Sequence, residues 1–244
     1  MTTALLQTTY FGPIQWYQKL YRYDHCLIEQ YDSFQKQTYR NRCVIATANG
    51  TQALTVPVEH TPIIATPHSQ RENHQPSTIS HQPSTISHQP SALTHQLRIS
   101  DHNQWRRVHW NALQSAYSES PFFEYYADDL HPFFCQEYEF LIDFNEAIRQ
   151  KICELIDIHP HVEYTTEYTS AISHQPSAIT DYRDIINAKH PLPDADYTPK
   201  KYWQVFQHKH DASCQISRFS TSSLTWVQNL FSIYKRYFLN YSCT

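Results

Sequence analysis

Glycine is almost absent from this chain, and its scarcity removes whole classes of binding site. Only Gly12 and Gly50 occur among 244 residues, whereas glycine usually makes up roughly 7% of a protein. A P-loop and a GxGxxG dinucleotide-binding turn each need several glycines close together. The sequence therefore excludes both of these nucleotide-binding motifs.

The rest of the composition indicates a folded domain. Apolar residues make up 40% of the chain and aromatic residues 14%, which is enough for a sizeable core. The length fits one domain with accessory segments. A net charge of −4 argues against a nucleic-acid partner held by bulk charge.

The cysteines and the first residues indicate a cytoplasmic location. The six cysteines form no CxxC motif, which is typical of a reduced chain rather than a disulfide scaffold. The N-terminus lacks the basic and apolar regions of a signal peptide. No stretch reaches the ~18 to 20 apolar residues of a transmembrane helix. We therefore expect a cytoplasmic protein without a transmembrane segment; the sequence leaves its oligomeric state open.

A heptapeptide repeat interrupts the chain. HQPSTIS occurs at 74–80 and 81–87, HQPSALT follows at 88–94, and HQPSAIT recurs at 174–180. Proline in every unit opposes a coiled coil, because it removes a backbone donor and clashes with the preceding turn. We expect solvated surface insertions at about 68–95 and 170–181. Successive repeat histidines would lie about 20 Å apart in an extended chain, so we expect no metal site there, and no cofactor.

Alternating strands and helices predict an α/β or α+β fold, with a small mixed sheet and flanking helices. We predict strands at 4–8, 26–29 and 97–99, a hairpin at 43–57 around Asn49-Gly50, helices at 14–23, 101–117 and 138–157, and a turn or short helix at 121–126. The first helix should turn Ile14, Tyr17, Leu20 and Tyr21 inward. One domain spans 1–210. Residues 211–244 form a divergent C-terminal tail, with a helix at 224–240.

A basic segment after the second strand is a candidate binding site. If 34–42 is extended, Lys36, Arg40 and Arg42 share one face and Tyr39 and Asn41 the other. Three cations on one face suit a phosphate, a carboxylate or a nucleotide. The alternative is a solvated basic edge strand that resists aggregation.

The predicted helix at 101–117 carries the best acid/base candidates. Asp101 reads as its N-cap, with Gln104 at the capping-box position. His102, Trp105 and His109 would share a face, and imidazoles titrate near neutral pH. The alternative is structural packing of these aromatic rings.

The loop after the first strand, 9–15, is a further candidate. Ligands of α/β sheets often bind beyond the carboxyl ends of strands and near helix N-termini. Tyr10 and Gln15 would then contact substrate, although the loop matches no phosphate-binding motif.

Several of these segments together resemble the WbqC-like protein family. The likeness rests on YFGPIQWY at 10–17, KQTYRNR at 36–42, LTVPV at 54–58, the spacing of Asp101, His102, Trp105 and His109, SPFFEYY at 120–126 and YWQVF at 202–206. The resemblance implies a place in bacterial surface-polysaccharide (O-antigen) biosynthesis, where transfer of glycine onto a sugar has been proposed. The heptapeptide insertions depart from the family pattern. So does the chain from about residue 211, where we hypothesise a change of reading frame.

The resulting hypothesis is a transferase that moves an acyl group, such as glycine, from an activated donor to a sugar. We assign catalysis to Asp101, His102 and His109, with a histidine as general base. We assign substrate binding to Tyr10, Gln15, Lys36, Tyr39, Arg40, Asn41, Arg42 and Trp105. The alternatives are a non-catalytic binding or scaffold protein of the same pathway, and a degenerate, inactive copy.

Overall fold

The computed structural model describes residues 1–59, 92–119, 123–169 and 179–198. Within these ranges the strands are β1 (Thr3–Gln7), β2 (His25–Glu29), β3 (Arg42–Thr47), β4 (Gly50–Thr55), β5 (Val162–Tyr164) and β6 (Ile179–Asp181). The helices are α1 (Ile14–Arg22), α2 (Trp105–Tyr117), α3 (Phe123–Leu130), α4 (Pro132–Cys135) and α5 (Leu141–Leu155). Short 3-10 turns cover Thr94–Gln96 and His102–Gln104.

A four-stranded parallel sheet organises the fold. Its strand order is β5-β2-β1-β6, and Leu5 of β1 lies between Leu27 of β2 and Asp181 of β6. Parallel neighbours need a crossover connection, and α1 makes this crossover between β1 and β2. The predicted α/β class is confirmed. The antiparallel pair β3-β4 forms a separate two-stranded sheet.

Helix α1 is buried more completely than its sequence pattern predicts. It begins after Pro13, whose carbonyl accepts a hydrogen bond from the Trp16 amide at 2.9 Å. All of 14–20 is buried, including Lys19. Tyr21, predicted to face inward, is 42% exposed. Gln15 and Lys19 are buried because the segment around Asp194 covers the polar side of the helix.

The hairpin forms where the Asn49-Gly50 dipeptide predicts it. Strand β3 pairs antiparallel with β4, and Thr47 lies opposite Gly50. Gly50 has φ +121°, a backbone conformation that L side chains rarely adopt. Cys43, Ile45 and Leu54 of the hairpin are buried in the core, to which α2 also contributes through its contact with β3.

The long helix α5 lies beside the end of β1. Leu141, Phe144, Ile148 and Ile152 are buried, as the periodicity predicts. The buried Asn145 donates hydrogen bonds to Thr8 Oγ1 at 3.2 Å and to the carbonyl of Arg40 at 2.8 Å. This helix therefore fixes the loops that follow β1 and precede β3.

Two local predictions around residue 100 are wrong. Residues 97–99 make only isolated bridges, between Val58 and Ile99 and between Arg98 and Phe140. Helix α2 begins at Trp105, because Asn103 (φ 62°) and Gln104 (φ 47°) adopt left-handed conformations. The Asp101 side chain binds Arg106 and does not cap the helix.

The ends of two repeat copies belong to the fold rather than to insertions. Thr94, the last residue of the third copy, is buried and its hydroxyl binds the Asp32 carboxylate. The last two residues of the detached copy form the start of β6. Membership of a repeat copy therefore does not decide which residues pack into the fold.

The predicted helix at 224–240, the YWQVF segment and the hypothesised frame change lie outside the described residues. In the ranges that are described, no helix is long and apolar enough to cross a membrane.

Candidate functional site

A cavity of about 360 Å³ opens at the carboxyl ends of the parallel strands. From β1 the chain turns first toward β2 and β5 and later to β6 on the other side, and ligands of α/β sheets bind where strand order reverses in this way. The volume lies in the range of small-molecule sites, ~300 to 1,000 Å³. The cavity is lined by Gln7, Tyr31, Asp32, Ser33, Gln35, Arg40, Tyr168, Asp181, Arg183, Asp184 and Asn187.

Arg40 and Asp32 form a buried ion pair on one wall of this cavity. Their side chains are 7% and 9% exposed, and Arg40 Nη2 donates to Asp32 Oδ2. Asp32 follows β2, and Arg40 precedes β3. A second donor to the Asp32 carboxylate is the hydroxyl of Thr94. The guanidinium is therefore held in place and its charge is largely neutralised.

Arg183 and Asp181 form a second pair on the opposite wall. Arg183 Nε lies 3.0 Å from Asp181 Oδ1, and Nη2 lies 2.7 Å from Oδ2, the bidentate geometry that orients both groups. Burial lowers the pKa of Arg183, but the hydrogen bonds and charge of Asp181 outweigh it and leave the pKa raised. Arg183 thus stays charged and fixed.

Glu29, the last residue of β2, ties the strand ends together. Its fully buried carboxylate accepts hydrogen bonds from the Tyr31 amide at 2.8 Å, the Thr165 hydroxyl at 2.9 Å and the Thr169 amide at 2.9 Å. Arg183 Nη1 lies 3.3 Å from the same group. The loops after β2, β5 and β6 are therefore held at fixed positions around the cavity.

The remaining lining is polar and carries little net charge. Two arginines face three aspartates, and Asp184 makes no ion pair with any described residue. Tyr168 is 57% exposed and has the Arg183 guanidinium over its ring at 5.4 Å. The amide groups of Gln7, Gln35 and Asn187 add donors and acceptors. Such a lining suits an uncharged ligand with many hydroxyls better than a multiply charged anion.

The three cations of the basic segment do not share a face. Residues 36–41 form turns, in which Gln37 has φ 62°. Lys36 is exposed, Arg40 is buried against Asp32, and Arg42 begins β3. Only Arg40 lines the cavity. The expectation of an extended segment is wrong, because the ion pair of Arg40 and the contacts of its neighbours favour a compact loop.

Other predicted binding residues make hydrogen bonds within the fold and not in the cavity. The Tyr39 carbonyl accepts from the Tyr10 amide at 2.8 Å, and Asn41 Nδ2 donates to the Val56 carbonyl at 2.9 Å. Gln15 donates to the Asp194 carboxylate at 2.7 Å. None of these four side chains lines the cavity.

His109 lies in an aromatic cluster inside the molecule. Its Nδ1 is 2.9 Å from the Tyr10 hydroxyl, its ring is 5.1 Å from that of Trp105, and it is 4% exposed. Burial lowers the pKa of His109 to about 4, although a hydrogen bond to the Thr55 backbone acts in the opposite direction. His109 is therefore neutral near pH 7, and this placement favours a structural role.

His102 and Asp101 lie apart from His109. Both are exposed, and His102 Nδ1 pairs with the Ser100 hydroxyl at 2.6 Å. The shared helical face expected for His102, Trp105 and His109 is not formed, because α2 begins only at Trp105. The structure keeps Trp105 beside His109 and separates both from His102.

A comparison with protein-family models finds the WbqC-like protein family, which matches residues 7–81 and 73–195. The matched ranges together take in most of the chain and overlap at 73–81, around the first repeat copy. This chain belongs to the WbqC-like protein family. Membership is consistent with a role related to polysaccharide biosynthesis. No curated protein and no solved structure matches the chain.

The sequence missed most of the cavity residues of this WbqC-like protein. Asp181 ends β6, a strand of only three residues that begins inside a repeat copy, and Arg183, Asp184 and Asn187 follow it. One sequence signal could have identified them, because acidic residues and arginines lie just after β2 and β6. If β6 had been predicted as a strand, these residues would have been expected at the carboxyl edge of the sheet.

Proposed function

We propose that this protein binds a sugar in the cavity at the carboxyl edge of the parallel sheet. We further propose that it acts there as a transferase in bacterial surface-polysaccharide (O-antigen) biosynthesis, in the cytoplasm. The observation that carries the proposal is the cavity itself, at the reversal of strand order and lined by polar groups that are held in place. Family membership supports the pathway.

The chemistry of the lining favours a sugar over a phosphate. Sugar hydroxyls both donate and accept hydrogen bonds. They can therefore bind carboxylate, amide and guanidinium groups, whose donor and acceptor atoms lie in one plane. The face of Tyr168 can pack against the apolar face of a sugar ring. Because Arg40 and Arg183 are already paired with carboxylates, they orient hydroxyl groups rather than bind a diphosphate. This replaces the anion-binding role expected of Lys36, Arg40 and Arg42.

The proposed reaction transfers an acyl group, such as glycine, from an activated donor to the bound sugar. A sugar hydroxyl or amine attacks the acyl carbon, its proton passes to a base, and the donor's leaving group departs. Asp184 is our candidate base, since it is exposed in the cavity and no described cation neutralises it. It takes the role first assigned to His102 and His109, which do not line the cavity. Neither a cofactor nor nucleic acid is part of the proposal.

A non-catalytic binding or scaffold role is the second candidate. It is favoured by the fact that Asp101, His102 and His109 all lie outside the cavity lining. In that case the cavity binds a sugar without turning it over. A degenerate copy remains the third hypothesis, and it rests on residues beyond the described ranges.

Sugar binding can be tested with one pair of tyrosine variants. Tyr168→Ala removes the exposed ring in the cavity, and Tyr125→Ala removes a ring of similar exposure, 68%, outside it. Calorimetry against free hexoses, amino sugars and nucleotide sugars should give a ligand whose affinity falls about tenfold in Tyr168→Ala. Tyr125→Ala should bind like the parent. Equal affinities in all three proteins, or no binding by any, would refute the proposal.

Catalysis is separated from binding by Asp184→Asn. This change keeps the size of the side chain but removes its basicity. With a sugar identified by calorimetry and activated acyl donors, we expect unchanged sugar affinity and loss of acyl transfer measured by mass spectrometry. If the parent binds the sugar but transfers nothing, the scaffold role is supported instead.

A further inference from the structure

Two histidines and a glutamate meet at the amino-terminal end of the sheet, on the side away from the cavity. The parallel pairing of Cys26 with Val162 brings His25 and His161, the residues just before them, side by side. Their ring centroids are 4.7 Å apart. Glu163 lies two residues beyond His161, and side chains two apart in a strand share a face. All three potential ligand atoms lie within 4.8 Å of one another.

The two separations between a histidine nitrogen and the Glu163 carboxylate are close to those of ligands on a zinc ion. Tetrahedral zinc with bonds of ~2.0 to 2.1 Å to nitrogen and oxygen places its ligand atoms roughly 3.3 Å apart. His25 Nε2 lies 3.3 Å from Glu163 Oε2, and His161 Nε2 lies 3.7 Å from Glu163 Oε1.

A second observation is the unsatisfied nitrogen of His25. Its Nε2 is buried and has no hydrogen-bond partner within the described part of the chain, although the Glu163 carboxylate is close. Buried polar atoms without a partner are uncommon and often mark the position of an ion or a water. A neutral imidazole nitrogen that faces a second imidazole and a carboxylate is a typical zinc ligand.

We propose that His25, His161 and Glu163 bind one zinc ion, with water in the fourth position. The site crosses from β2 to β5, the short edge strand of the sheet. Because the ion binds both strands, it clamps β5 in register and stabilises the folded state. This role is structural and independent of the sugar site, since the two lie at opposite ends of the strands. The sequence-based expectation of no metal site concerned the repeat histidines, and His25 and His161 lie outside the repeat copies.

Zinc titration of the full chain tests this site, with His159→Ala as the matched control. His159 is 85% exposed and lies 3.6 Å from the Asp157 carboxylate, but it has no third ligand in the described cluster. Glu163→Gln and His161→Ala alter exposed ligands, 58% and 61% exposed, so the fold should persist. Glu163→Gln keeps every histidine of the parent, so zinc binding by histidines elsewhere in the chain contributes equally to the titrations of both proteins.

We expect the parent to bind one equivalent of Zn²⁺ more tightly than any other. Glu163→Gln and His161→Ala should each weaken that equivalent at least about tenfold, while His159→Ala binds like the parent. Zn²⁺ should raise the unfolding temperature of the parent and of His159→Ala only. Absence of a tight equivalent in the parent overturns the proposal. So does an unchanged affinity in Glu163→Gln, which would leave an ordinary ion pair at this position.

Discussion

The loop between β1 and α1 depends on a single residue, Gly12. A Cβ at this position would lie 2.5 Å from Thr9 Oγ1 and 3.1 Å from Thr9 Cβ, closer than a side chain can approach without movement. One of the two glycines of the chain thus lies where the chain passes close to itself.

We predict that Gly12→Ala destabilises the protein by about 1 to 3 kcal/mol, the usual effect of overfilling a packed region. Thr9 Oγ1 is buried without a hydrogen-bond partner among described residues, so Thr9→Ala alone should have little effect. The double variant should recover part of the loss, because the nearest clashing atom is gone. Urea unfolding measures all three changes. Strict additivity of the two single effects would contradict the proposed clash.

At the scale of elements, a buried ion pair fastens α1 to the segment that follows β6. Lys19 Nζ lies 2.8 Å from Asp194 Oδ2, and the two side chains are 0% and 5% exposed. Gln15 also donates to this carboxylate. The same segment carries the residues on one wall of the cavity. The ion pair therefore helps to hold that wall of the candidate site in position.

Removing one member of this ion pair should strongly lower the free energy of unfolding. Lys19→Met leaves the Asp194 carboxylate buried without its cation, and we expect a loss of about 3 to 5 kcal/mol in urea unfolding. Lys19→Met combined with Asp194→Asn should recover much of that loss. The control is Arg22→Ala on the same helix, whose pair with Asp196 is largely exposed and should contribute less than about 1 kcal/mol. Similar losses in Lys19→Met and Arg22→Ala would refute the buried-pair argument.

At the scale of the whole molecule, the buried His109 links folding to pH. Burial lowers its pKa in the folded state to about 4, whereas the unfolded value is about 6.5. As the pH falls from about 6.5 to 4, the unfolded chain takes up a proton that the folded chain does not. The free energy of unfolding that the neutral imidazole contributes is therefore fully present above pH 6.5. About 3 kcal/mol of it is lost as the pH falls to 4.

His109→Gln should remove this pH dependence. We expect the variant to be less stable than the parent at pH 7, with the difference shrinking steadily as the pH is lowered to 4. Unfolding free energies from urea titrations at several pH values measure the trend. His159→Ala, an exposed histidine, should follow the parent throughout. A constant difference between His109→Gln and the parent would contradict the assigned pKa.

Much of the fold could be predicted because its signals are local. The short apolar run at the start of β1, the apolar stripe of α5 and the Asn49-Gly50 turn each lie within a few residues. The family could be identified for the same reason, from short strings such as YFGPIQWY. Predictions failed where a side chain binds a partner that the local pattern does not reveal. Asp101 binds Arg106 instead of capping α2, and Arg40 turns inward to reach Asp32.

The sequence by itself determined the α/β class, the order of β1, α1 and β2, the hairpin and the absence of glycine-rich nucleotide motifs. Only the tertiary structure decided which polar residues meet. The cavity unites strand ends from β1, β2 and β6, and the zinc cluster unites β2 with β5. Parallel pairing joins residues far apart in the chain, and its register follows from burial and backbone hydrogen bonds, which no local pattern encodes.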